Sequence, residues 1–455
     1  MFVYLNNYLN FLIFYLQTGG IIMKKLSLFI STLIFFSIYA SAVFSSDMYE
    51  VNTINGKLAP GYTQAIGGAS LWVNSYGYDA GGWRVEYHPR KVVDVNGDGK
   101  ADIVGFGEKG VYVSLSTSSG FTSPELWVNS YGNSAGGWKT DSHPRLMGDV
   151  NGDGLSDIVG FGNAGVYVSL SDGETFSEPK LWINTFGYNA GGWRVEKHPR
   201  ILADVNGDNK VDIVGFGNAG VYVSLSTGYD FMSAQLWTST YGYNAGGWRI
   251  ESHPRMVVDV NGDQMADVIG FGNAGVYVSV SKATKFRIFR LCLNEFGHNA
   301  GGWRVNNHPR IMSDVNGDDI YDVVGFGNHG VNVSLSTGFG FNSPELTIES
   351  FGASSKAGGW KVDQHPRKMA DVNGDGMDDV VGFANAGVYV SLSNGKGFES
   401  PTLWVNTYGY DAGGWRVDKH PRILADVNGD KMADIIGFGN AGVYVSLSNG
   451  LNQFE

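Results

Sequence analysis

Residues 110–116, GVYVSLS, alternate apolar and polar side chains. Val111, Val113 and Leu115 fall on one face, Tyr112, Ser114 and Ser116 on the other. A two-residue period of this kind marks a β-strand with one face in a core. The flanking pattern completes a four-strand unit. Residues 88–95, HPRKVVDV, predict a first strand, and the NGDG turn follows at 96–99. Residues 101–107, ADIVGFG, predict a second strand, closed by a tight turn at Glu108-Lys109-Gly110. After the third strand come a Ser/Gly/Pro loop, TSSGFTSP at 117–124, and a fourth strand, ELWVNSYG at 125–132. Glycine, proline, asparagine and aspartate stand where the chain must reverse. No segment of the unit carries the 3.6-residue period over a helical length.

The unit recurs seven times. AGGWRVEYHPR at 80–90 returns with small changes, placing Gly-Gly-Trp tryptophans at Trp83, Trp138, Trp193, Trp248, Trp303, Trp360 and Trp415. The spacing is 55 residues, except for 57 between Trp303 and Trp360, where FGASSKAGGW replaces FGYNAGGW. Such a period marks a repeat architecture, and seven units of four strands predict an all-β, seven-bladed β-propeller. The last unit stops after VYVSLSNG without a fourth strand. The first is preceded by an orphan fourth strand, LWVNSYG at 71–77. The N-terminal strand is therefore expected to complete the last blade, closing the ring and hiding two sheet edges. The expected division is a targeting segment at 1–42, a leader at 43–70 and the propeller at 71–455.

Composition agrees with a sheet protein rich in turns: 43% hydrophobic, 17% charged, 66 glycines in 455 residues. A net charge of −12 without a basic block argues against nucleic-acid binding. Met23 opens a stretch with Lys24 and Lys25, an apolar run from Leu26 to Tyr39 and Ala40-Ser41-Ala42, the pattern of a cleaved secretory signal with Met23 as the start. Residues 1–22 read either as upstream sequence or as an extended signal, and an uncleaved anchor is the alternative. The single cysteine, Cys292, excludes an internal disulfide framework. It stands where other copies have tryptophan and reads as an apolar filler.

Two repeated constellations carry candidate chemistry. Positions 1, 3, 5 and 9 of DVNGDGKAD are Asp94, Asn96, Asp98 and Asp102. They recur as Asp149, Asn151, Asp153 and Asp157, as Asp371, Asn373, Asp375 and Asp379, and in four further copies beginning at Asp204, Asp259, Asp314 and Asp426. Oxygen ligands alternating through a tight turn suit a structural Ca²⁺. Yet position 6 is Asn209, Gln264, Asp319 or Lys431 in four copies. The same side chains also cap turn amides without metal, and both readings stand.

The second constellation lies on the opposite face, in the links between blades. Each link joins the Gly-Gly-Trp tryptophan to a His-Pro-Arg: His88 and Arg90, His143 and Arg145, His198 and Arg200, His253 and Arg255, His308 and Arg310, His365 and Arg367, His420 and Arg422. Fourth-strand tryptophans precede them at Trp127, Trp182, Trp237 and Trp404, and Tyr131, Tyr241 and Tyr408 stand just before a glycine. An aromatic plate suits the apolar face of a sugar, and fixed polar groups suit its hydroxyls. The alternative is structural: tryptophan as a wedge between blades, and His-Pro-Arg as a link shaper.

DVNGDGxxD followed by VGFGNAGVYVSLS resembles FG-GAP/VCBS-type blades, as in integrin-like propellers. The full unit, with LWxxxxGYxAGGWRVxxHPR, is similar to the seven-bladed propeller lectins of the Photorhabdus lectin family and, more distantly, to the Psathyrella velutina lectin. The similarity spans nearly the whole chain from Leu71 to Gly450. It implies glycan binding between adjacent blades, with L-fucose or O-methylated sugars leading and N-acetylglucosamine suggested by the fungal relative. It also implies a dimer or tetramer acting in host-surface attachment or recognition. No nucleophile-elbow or zinc-ligand spacing points to an enzyme, and an integrin-like propeller binding a protein is the rival reading. Cys292 and Thr347 replace the fourth-strand tryptophan in two copies, so fewer than seven working sites are expected.

Overall fold

The computed structural model describes residues 68–454 except Ile288. The expected targeting segment and all of the leader before Gly68 lie outside the described residues. The chain forms seven four-stranded antiparallel sheets. Blades 1 to 6 span residues 90–128, 145–183, 200–238, 255–293, 310–348 and 367–405. Blade 7 takes three strands from 422–446 and its fourth, Ser70–Val73, from the other end of the chain. That strand pairs antiparallel with Val443–Ser446, in the register Ser70↔Val445 and Leu71↔Tyr444. The ring closes as the orphan strand implied.

First strands of neighbouring blades touch one another at the centre. Second strands such as Asp212–Phe216 are wholly buried, and their DIVGF-like sequences read as unbroken runs because both sheet faces meet a neighbour. Fourth strands form the rim, where Leu126, Leu181 and Leu236 stand half exposed. Cys292 is half-buried on such a strand and packs with Phe341 against the core between blades 4 and 5. Among the described residues the only helical element is the 3-10 turn Ser355–Ala357, in the two-residue insertion.

Each link seats an aromatic pair on the next blade. Phe186 and Trp193 lie 4.9 Å apart, and the Trp193 ring ends over Gly215 of blade 3. A methyl group there would come within 2.5 Å of Trp193 and 2.6 Å of Phe186. The repeated glycine of the GF motif is thus the socket for the wedge. Gly215→Ala is expected to destabilise the protein by about 1–3 kcal/mol through overpacking, read as a lowered midpoint in denaturant. An unchanged midpoint would show that the ring has room to move.

Candidate functional site

The link at 129–144 shows how the site is built. Gly136 and Gly137 both adopt left-handed backbone, with φ of 99° and 72°. This sharp turn brings Trp138 back so that its N–H bonds to the Gly132 carbonyl at 3.1 Å. A side chain on Gly136 would strike the indole Nε1 at 2.9 Å. The glycine therefore leaves the indole N–H edge uncovered.

His143 follows one turn later. Its Nδ1 accepts the Lys139 backbone N–H at 3.2 Å. A neutral imidazole with Nδ1 accepting carries its proton on Nε2, which donates to Asn163 Oδ1 at 3.1 Å. The same pair recurs as His198–Asn218, His253–Asn273, His308–Asn328, His365–Asn385 and His420–Asn440, at 2.8–3.0 Å. In blade 1 the asparagine is replaced by Glu108, whose carboxylate lies 3.7 Å from His88.

Trp138, His143, the turn Gly162-Asn163-Ala164 and Tyr167 enclose a pocket of about 300 Å³, together with Ser130, Gly136 and Pro179. The following link adds Tyr188, whose N–H bonds to the Gly162 carbonyl at 3.0 Å and whose ring lies 6.3 Å from His143. Arg194 stacks on that ring at 3.7 Å. The Arg–Tyr stack recurs at Arg84–Tyr78, Arg249–Tyr243 and Arg416–Tyr410.

Burial holds the site histidines below the ordinary imidazole value. For His365 the value falls to about 4. A depressed histidine contributes stability above its unfolded pKa of about 6.5 that is lost as pH falls through the folded value. His365 is therefore expected to stay neutral at pH 5, with an NMR midpoint near 4. A midpoint near 6.5 would mean that its ring is solvated.

The structure sorts the expected site residues into two groups. The seven Gly-Gly-Trp tryptophans and their histidines come together, with ring centroids 5.5–5.7 Å apart. The other three sets do not join them. Arg90, Arg145, Arg200, Arg255, Arg310, Arg367 and Arg422 are buried. Each lies over a phenylalanine of the preceding blade at 5.3–5.6 Å and donates to a link carbonyl at 2.8–3.2 Å. Tyr131, Tyr241 and Tyr408 are fully buried, with hydroxyls bonded to Ser169, Ser279 and Ser446. Trp127, Trp182, Trp237 and Trp404 pack at 5.1–5.3 Å on Phe176, Phe231, Phe286 and Phe454 of loops on the other face. Cys292 and Thr347 thus replace blade-packing residues, and they give no reason to expect dead pockets.

The role of the pocket tryptophan also differs from a stacking plate. Trp138 is only 7% exposed, with its face covered by Tyr131 and Gly160. What it offers a ligand is the N–H edge. Among the described residues the indole N–H groups of Trp83, Trp138, Trp193, Trp248 and Trp415 have no protein acceptor, and neither has the buried one of Trp360; of the seven Gly-Gly-Trp indoles only that of Trp303 is bonded. Sequence reasoning missed the Asn163-type turn residue, the Ser130 or Thr185 position and Tyr167. The constant 20-residue interval from histidine to asparagine was the available signal.

The acidic loops follow the turn-capping reading. Asp94 Oδ1 accepts the N–H groups of Asn96 and Gly97 at 3.1 and 2.7 Å, and Oδ2 accepts that of Gly99 at 2.9 Å. Asp98 accepts from Lys100, and buried Asp102 accepts from Val95 and Ser116. The loops at Asp149–Asp157 and Asp371–Asp379 repeat this pattern. Where position 6 is not glycine, Asn209, Gln264, Asp319 and Lys431 still take φ of 63–70° and donate to the leading aspartate. Among the described residues no three His, Cys, Asp or Glu side chains are gathered to hold a metal ion. Each of these oxygens accepts a turn or loop amide, the geometry of the capping reading.

Fold and pockets together define a seven-bladed β-propeller of FG-GAP-like repeats with pockets at its blade junctions, and residues 149–215 match the FG-GAP-like repeat family. A solved lectin from Agrocybe aegerita, described for specific recognition of non-reducing terminal N-acetylglucosamine, is 39% identical with a TM-score of 0.73. The match covers 76% of this chain and 87% of the lectin. The chain belongs to that family of β-propeller lectins. The Tc holotoxin pore of Photorhabdus luminescens is 14% identical with a TM-score of 0.45, over 79% of this chain and 16% of that one, too distant to bear on function. No curated protein matches the chain in sequence.

Proposed function

We propose that the protein is a secreted, multivalent lectin that binds the non-reducing terminal N-acetylglucosamine of glycans in its blade-junction pockets. One observation carries this reading: among the described residues six of the seven Gly-Gly-Trp indole N–H groups lack a protein acceptor, and the pocket at Trp138 also presents a polar turn and a half-buried tyrosine. A sugar acetamido or hydroxyl oxygen is the acceptor such a donor takes. The Agrocybe aegerita relative supports N-acetylglucosamine over the L-fucose and O-methylated sugars that the sequence pattern favoured. The signal-like segment from Met23 supports secretion, and the Trp–His pair repeated at every blade junction suits avidity on clustered glycans. A non-enzymatic role and assembly as a dimer or tetramer belong to the same reading.

A glycan array with all three sugar classes, with and without EDTA, tests it. Binding to N-acetylglucosamine-terminated glycans, competed by the free sugar and indifferent to EDTA, is the expected result. Selective binding to fucosylated or O-methylated glycans would reassign the ligand. A silent array from folded protein would leave the integrin-like, protein-binding reading.

A further inference from the structure

The pocket at blade 5 differs from its neighbours at the indole edge. Eight residues before the pocket tryptophan the chain carries Ser75, Ser130, Thr185, Thr240 and Thr407, but at blade 5 it carries Glu295. Its carboxylate oxygen accepts the Trp303 indole N–H at 3.0 Å. It also lies over Gly301, where a methyl group would meet Oε1 at 1.8 Å; at Gly81, Gly136, Gly191 and Gly413 the Ser75, Ser130, Thr185 and Thr407 oxygens are 3.1–3.8 Å away. We infer that Glu295 is a built-in occupant of the blade 5 pocket, holding the position that a ligand oxygen takes at the free indoles, and that it excludes neutral sugar from this pocket alone.

The physical argument rests on exchange. At Trp193 an incoming oxygen replaces water on a neutral donor. At Trp303 it must displace a carboxylate from a charge-assisted bond, and such bonds are roughly twice as strong as neutral ones. A serine or threonine at that position is too short to reach across and cap the indole. Other residues of this pocket have diverged with it: Asn332 replaces the third-strand tyrosine, His329 replaces the alanine of the turn, and Ala353 replaces the link tyrosine.

This inference rests on the lectin reading for its ligand, and the test separates the two. Indole ¹H–¹⁵N spectra of the full chain are recorded first for the wild type and for Glu295→Thr. The Trp303 resonance is expected to lie apart from those of the uncapped indoles in the wild type and to move toward them in Glu295→Thr. A Trp303 resonance that Glu295→Thr leaves in place overturns the cap, whatever the protein binds. N-acetylglucosamine is then titrated. In the wild type the indoles of Trp83, Trp138, Trp193, Trp248 and Trp415 are expected to move, while Trp303 binds at least tenfold more weakly. In Glu295→Thr, Trp303 joins them within about threefold of Trp193; these margins follow from one lost or regained hydrogen bond. Failure of Trp303 to respond in Glu295→Thr overturns Glu295 as the excluding group. A wild type in which no indole moves with sugar refutes the N-acetylglucosamine reading, while the displacement of the Trp303 resonance in Glu295→Thr still decides the cap.

Discussion

Alanine at Asp267 is expected to destabilise the protein by about 2–6 kcal/mol, since two buried backbone donors lose their acceptor at about 1–3 kcal/mol each. Asp267 is fully buried. It accepts the N–H of Val260 at 3.3 Å and that of Ser281 at 2.7 Å, and so pins the acidic turn to the loop between the third and fourth strands. Denaturant unfolding measures the loss, and a change below about 1 kcal/mol would mean that water reaches both donors. Burial also lifts the Asp267 carboxyl to about 8 against the pull of these N–H groups, with Asp102, Asp157 and Asp379 alike. A carboxyl raised in the folded state contributes stability that is full below its unfolded pKa of about 4 and is lost as pH rises through the folded value. Melting temperature is therefore expected to fall between about pH 4 and pH 8, and Asp267→Asn should flatten that fall.

Trp193→Ala is expected to cost about 3–5 kcal/mol, the range for emptying a buried indole site. Its ring contacts Phe186, His198 and Tyr222 and fills the socket at Gly215. The informative companion is Trp193→Phe. It keeps one ring of the wedge and deletes the N–H with the rest of the indole, so the stability loss should be smaller than for alanine, about 1–3 kcal/mol. Affinity at that one pocket should fall by roughly tenfold, the worth of one hydrogen bond. Calorimetry with N-acetylglucosamine would then count one site fewer. Unchanged stoichiometry and affinity would remove the indole edge from the recognition scheme.

The fold was legible because its determinants are periodic. The recurring tryptophan counts the blades, the alternation in GVYVSLS marks a strand, and the orphan LWVNSYG marks the seam. The site was half legible, because blade packing and ligand recognition repeat with the same period. Arg145 and His143 are two residues apart and both recur in every copy. Only the fold shows that one side chain turns back onto Phe106 while the other turns to Asn163. Trp127 and Trp138 look alike in sequence, yet one meets Phe176 and the other lines the pocket. Glu295 stood out as a break in the pattern, but its meaning needed the distance to Trp303.

The seam has a consequence in time. Strand Ser70–Val73 is made before any blade, yet its partner Val443–Ser446 is made only after blades 1 to 6. During synthesis the earliest strand must wait, unpaired, while six blades assemble behind it. Tyr78 waits with it, and this residue's ring meets His420 only when the circle is complete. Vectorial folding can therefore finish an arc but not the ring. The wall that Tyr78 gives the pocket at blade 7 is among the last parts of the ring to form.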